Sequence, residues 1–97
     1  MVKTAHRMTR QQMQELAERL IKMPFDKAKN HVRRLDQQSQ LVMWRVGVGS
    51  EIQTRYRLPT LGVMVTLVEQ AHEEHIDDEH DKLRFAPRFV EARVEAL

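Results

Sequence analysis

Cysteine is absent from this chain of 97 residues. That removes a disulfide framework, a thiolate nucleophile and any cysteine-ligated zinc or iron–sulfur centre, and it fits a reducing, cytoplasmic compartment. Long apolar runs are missing too. The longest, Leu61 to Val68, covers eight residues and contains Thr66, far short of the roughly 20 that a membrane helix needs. The first seven residues carry charge with no apolar segment behind them, so they do not read as a secretory signal. A soluble protein with no membrane partner is expected. The usual catalytic signatures are lacking as well: no Gly-x-Ser-x-Gly elbow, phosphate-binding loop, dinucleotide fingerprint or His-Glu-x-x-His pair occurs. Asp26, His31 and Asp36 lie near one helix but make no pocket by themselves. No enzymatic activity is expected, and no cofactor is implied.

What is present suits one small globular domain. Hydrophobic residues make up 41% of the chain and charged residues 31%, inside the folding range and outside the disordered one. A chain of this length buries only roughly 60–65% of its unfolded surface, so self-association is a common remedy for a thin margin of stability. The formal net charge of +2 hides a division. Residues 1–60 hold twelve Lys/Arg against five Asp/Glu, a net of +7, and residues 61–97 hold four against nine, a net of −5. Such a split marks either a polyanion-binding face or two halves that attract each other within the fold or across a dimer.

Residues 1–8 are expected to be a flexible N-terminus, and residues 9–97 a single α+β domain. Thr9-x-x-Gln12 is a capping-box pattern, and Met13, Leu16, Ala17, Leu20 and Ile21 come after it at the spacing of one helical stripe. Pro24 ends that helix and suits the first turn of a second, whose apolar face is Phe25, Ala28, Val32 and Leu35. From Ser39 the period falls to two. Val42, Trp44, Val46 and Val48 alternate along one strand, and Ile52, Thr54, Tyr56 and Leu58 along the next. Gly47-Val48-Gly49-Ser50 and Pro59-Thr60-Leu61-Gly62 supply turn chemistry. Residues 63–68 are β-branched and apolar on both faces, as in a covered central strand, although Thr60 could instead cap a helix there. The composition after Glu69 turns polar and helical through about Asp81. Pro87 interrupts, and residues 90–96 alternate as a final strand, with a shared helix face as the alternative. The expected fold is α+β: two N-terminal helices packed on an antiparallel three- to four-stranded meander, with an acidic helix or loop before a C-terminal strand. On this pattern Trp44 and Tyr56 belong to the core.

Three features bear on function. The tract from Glu69 to Asp81 holds three histidines among seven acidic residues. On a helix, His72, His75 and Glu79 would share a face and offer imidazole plus carboxylate to zinc, iron, nickel or manganese. The ligand set is incomplete, and a solvated polar stretch accounts for the same residues; pairing of the histidines with acids would make the tract respond to pH near 6–7. The basic residues Lys22, Lys27, Lys29, Arg33 and Arg34 lie on or beside the second helix, with Arg45 outward on the first strand and Arg55 and Arg57 outward on the second. Together these eight would make a nucleic-acid-binding surface if folding brings them to one face. No aromatic alternates with the arginines to stack a base. Leu41 and Met43 point away from Trp44, apolar where solvent is expected, and so mark a protein interface. The leading expectation is a small non-enzymatic binding or adaptor protein that acts through protein contacts and is homo-oligomeric. Nucleic-acid binding is the first alternative and metal binding the second.

Overall fold

The computed structural model describes residues 7–77 and 82–97, with side chains described for residues 7–71 and 87–97. Helix α1 runs Arg10–Ile21. Its start comes from the capping box. The Gln12 backbone N–H donates to Thr9 Oγ1 at 3.1 Å, and the Thr9 backbone N–H donates to Gln12 Oε1 at 2.9 Å. Helix α2 runs Phe25–Leu35 with Pro24 as its N-cap. Asp26 in its first turn and Arg33 and Arg34 in its last complement the helix dipole.

Among the described residues four strands follow: β1 Gln40–Val48, β2 Glu51–Leu58, β3 Val63–Asp77 and β4 Lys82–Ala96. They form one antiparallel sheet in the order β1-β2-β3-β4. The helices cover one face. Leu16 and Leu20 of α1 and Ala28 and Val32 of α2 pack with Tyr56, Leu58, Val63, Val65 and Leu67, and all are buried. α1 lies over β4, and α2 approaches β2 and β3. Strand alternation therefore puts Thr54, Tyr56 and Leu58 under the helices and Gln53, Arg55 and Arg57 on the opposite face.

The α+β class, the two helices and the meander are as the sequence predicts, with four strands. One part differs. The backbone of residues 69–77, expected as an acidic helix or loop, continues β3; residues 78–81 lie outside the described residues. Pairing decides this. β3 finds a partner in β4 over its whole length, from Val63 opposite Ala96 to Asp77 opposite Lys82, and the ladder outweighs the helical preference of Glu and His. β2 accompanies β3 only as far as Gln70, so the remainder is a two-stranded arm. β4 accordingly begins well before Pro87. As an edge strand it has one neighbour, so the missing proline N–H need cost no ladder bond.

The turns are tied down from within. Asp36 is buried beyond the end of α2; its Oδ1 accepts the Gln38 N–H and its Oδ2 accepts the Thr60 N–H, each at 2.8 Å. Burial alone would raise its pKa, but hydrogen bonds from Gln38, Thr60 and Leu61 outweigh that and hold it below the usual carboxylate range. This one side chain joins the loop before β1 to the turn before β3. Ahead of α1, the Met8 N–H donates to the Leu61 carbonyl at 3.0 Å, and Met8 packs on the core.

Candidate functional site

Strand β1 is where the alternation breaks. Leu41 pairs with Tyr56 and Met43 with Arg55, leaving Val42 as an extra residue. Met43 pairs with Arg55 and Val46 with Gln53, so Trp44 and Arg45 together stand opposite Thr54. Arg45 occupies the left-handed region, φ 45°, and its N–H donates to Thr54 Oγ1 at 3.2 Å. Each extra residue inverts the facing of the strand beyond it. Leu41 and Trp44 thus lie together on the helix side, while Met43, Val46 and Val48 lie on the open side. This corrects the expectation that Leu41 points away from Trp44 and that Arg45 points outward.

Trp44 is also not a core residue; it is 47% exposed. Phe25 at the start of α2 holds it from one side at 6.4 Å between ring centroids and meets Phe89 of β4 edge-on at 5.8 Å. The Arg45 guanidinium covers Phe25 at 4.8 Å and Trp44 at 5.4 Å, and its Nε donates to Glu69 Oε1 at 3.1 Å. Glu69 is only 1% exposed. A buried carboxylate needs a partner, and Arg45 supplies it while bracing the indole.

Beside this cluster, a groove of about 550 Å³ opens between α2 and β1, lined by Lys29, Arg33, Ser39, Leu41, Trp44 and Tyr56. Lys29 and Arg33 are one turn apart on α2, so both reach the same side. The Lys29 ammonium sits 5.0 Å above the Trp44 ring, a contact worth only about 0.5–1 kcal/mol at an exposed site. Burial pushes the Tyr56 phenol up, with the Arg33 charge acting the other way, so the hydroxyl stays protonated at neutral pH. The groove can receive an anion and a flat apolar group side by side.

The opposite face of the sheet carries a different arrangement. Arg93 of β4 donates to Glu51 at 2.8 Å and to Glu91 at 2.9 Å, Gln53 donates to Glu51 at 2.8 Å, and Arg55 donates to Gln53 at 2.7 Å. The Gln53 amide and Arg93 hold Glu51 below its ordinary carboxylate range. Arg55 and Arg57 belong to this face and therefore do not join Lys29 and Arg33 in one surface. Of the eight basic residues singled out from the sequence, the structure brings together Lys29 and Arg33 in the groove, with Arg45 behind it. Lys27 and Arg34 lie farther round α2, and Lys22 caps α1.

The helical spacing that would bring His72, His75 and Glu79 together is absent, because His72 and His75 are on β3. Their side chains and all of Glu79 lie outside the described residues, as does the titration of the tract. Among the described residues no group of three His, Cys, Asp or Glu is placed to hold a metal. The sequence pattern does not assign Trp44, Ser39 and Tyr56 to a groove. The available signal is the unbroken run Leu41-Val42-Met43-Trp44, apolar at both parities, which a simple half-buried strand does not show. Comparison with known proteins finds no matching family model, no similar curated protein and no similar solved structure.

Proposed function

We propose that this chain is a non-enzymatic binding module that acts through protein contacts made by the edge of β1, its first partner being a second copy of itself. One observation carries the reading: five of the exposed large hydrophobic residues, Leu41, Val42, Trp44, Val46 and Val48, lie on this single edge strand. Edge strands in stable monomers are normally blunted by lysine, proline, inward charge or bulges. β1 contains neither lysine nor proline, and its inward-turned Arg45 and its two bulges blunt only the middle of the strand, from Val42 to Arg45. Outside the bulges, regular pairing covers Gln40–Leu41 and the longer stretch from Val46 to Val48. There a second β1, running antiparallel about a two-fold axis, would satisfy the free backbone groups and cover both valines with their own copies. Met43, half-buried next to the same edge, would join that contact.

Sedimentation equilibrium from micromolar to near-millimolar concentration tests this. The expected mass is twice that of the 11.5 kDa chain, and a V46K/V48K variant should sediment as a folded monomer. A strict monomer across the range overturns the proposal.

A further inference from the structure

We infer that the groove between α2 and β1 binds a single strand of nucleic acid, with one base stacked on Trp44 and the flanking phosphates on Lys29 and Arg33. Two requirements of such a site are a track of positive charge and an accessible aromatic face that takes any base. The sequence pattern separates them, because it assigns Trp44 to the core. In the structure the indole keeps to the α2 side against Phe25 but is 47% exposed there, while the bulge at Trp44–Arg45 turns Val46 and Val48 to the other face.

Among the described residues the groove walls hold two cations, a half-exposed indole, Leu41, the Ser39 hydroxyl and the Tyr56 ring, with no carboxylate among them. The charge continues beyond it. A hollow lined by Asn30, Arg33, Arg34, Gln37 and Ser39 shares Arg33 and Ser39 with the groove, and a further one adds Lys27. Four cations thus line α2, whose eleven residues extend roughly 16 Å, enough for a few nucleotides. The indole is braced rather than loose. Phe25 and Arg45 hold it from the protein side, and Arg45 is itself fixed by Glu69.

Lys29 occupies a ring face in the free protein. Base stacking on an aromatic is the stronger contact, and a displaced ammonium has a phosphate to meet. A duplex offers no unstacked base to Trp44, which is why the assignment is to a single strand. An acidic peptide would satisfy the cations but not the indole.

Trp44 is the sole tryptophan, so its fluorescence reads the stacking contact directly. Titration of the full chain with oligo-dT or oligo-U of about twelve nucleotides should give saturable quenching that weakens steeply with salt. In anisotropy with labelled oligomers, K29A/R33A should lose about tenfold or more in affinity, and the salt slope should flatten by roughly 0.7 for each phosphate contact removed. W44A should weaken binding to a similar degree, whereas W44F should retain most of it. V46K/V48K should bind normally, since neither valine lines the groove, so failure of self-association and failure of this site are separable. The inference is overturned by no binding at low salt, by binding without quenching, or by indifference to K29A/R33A. It is equally overturned if a single nucleotide or polyglutamate competes as well as the oligomer, or if V46K/V48K abolishes binding.

Discussion

Replacing Arg45 sets two effects of opposite sign against each other. Its guanidinium is the partner of the buried Glu69 carboxylate, and its backbone is held at φ 45°. A surface ion pair contributes about 0–1 kcal/mol, while breaking a fully buried one costs about 3–5 kcal/mol. Here the carboxylate is buried and the guanidinium side chain is 42% exposed, which places the loss between those limits, at about 2 kcal/mol. The left-handed backbone costs a non-glycine residue about 1–2 kcal/mol, and glycine almost nothing. Arg45→Ala should therefore destabilise the fold by about 2 kcal/mol, and Arg45→Gly by about 1 kcal/mol less than that. For a domain of this size the alanine variant should melt roughly 8–16 °C lower, with the glycine variant recovering about half of the loss. Far-UV circular dichroism is the suitable readout, because the indole fluorescence changes with its Arg45 neighbour. A cycle with Glu69→Gln isolates the pair: Arg45→Ala should cost less in that background. An R45G variant no more stable than R45A refutes the strain argument, and an additive cycle refutes the pairing argument.

Further predictions concern the turns. Asp36→Ala leaves the Gln38 and Thr60 N–H groups without their acceptor and should cost about 2–4 kcal/mol in urea unfolding; a loss below the scatter of surface mutations would refute the bridging role. Because the folded-state pKa of Asp36 is depressed, its contribution is present above the unfolded value of about 3.9. It is lost as pH falls from there through the lower folded value. Asp36→Asn should accordingly flatten the acid limb of the stability curve, measured from about one unit above that value to about two below it. Gly62→Ala meets two obstacles: φ is 68°, and a Cβ would sit 3.2 Å from Arg7 Cγ. The Arg7 side chain can give way, so the cost should be mainly backbone, about 1 kcal/mol, seen as a melting point lower by about 4–8 °C; an unchanged melting point would count against it.

Much of the fold is legible in the chain. Thr9 and Gln12 announce the start of α1, Pro24 the corner, and the alternation of Thr54, Tyr56 and Leu58 the buried face of β2. These are short-range signals, carried by a cap, a ring or a two-residue period, and they need no tertiary partner to be read. The extension of β3 through residue 77 is not legible, because its cause is a partner strand later in the chain rather than the character of Glu, His and Asp. The grouping of basic residues fails for a related reason. Arg55 and Arg57 come soon after Lys29 and Arg33 in sequence, yet a sheet separates them, and only the docking of α2 on the face of Tyr56 and Leu58 assigns the side each occupies.

The division of charge shows the same limit. A base of the first part meets an acid of the second where Arg45 reaches Glu69, whereas Glu51 and Arg93 join the two parts in the opposite sense. That leaves Lys29 and Arg33 facing an open groove. Composition determined that this is a cysteine-free chain, the order of its charges that they are segregated, and periodicity with turn chemistry the α+β class and which helix faces are buried. The candidate site was decided by the tertiary structure. Two single-residue bulges in β1 bring Leu41 and Arg45 to the side of Trp44 and send Val46 and Val48 to the other, and a bulge depends on how two strands register rather than on the residues of either strand read alone.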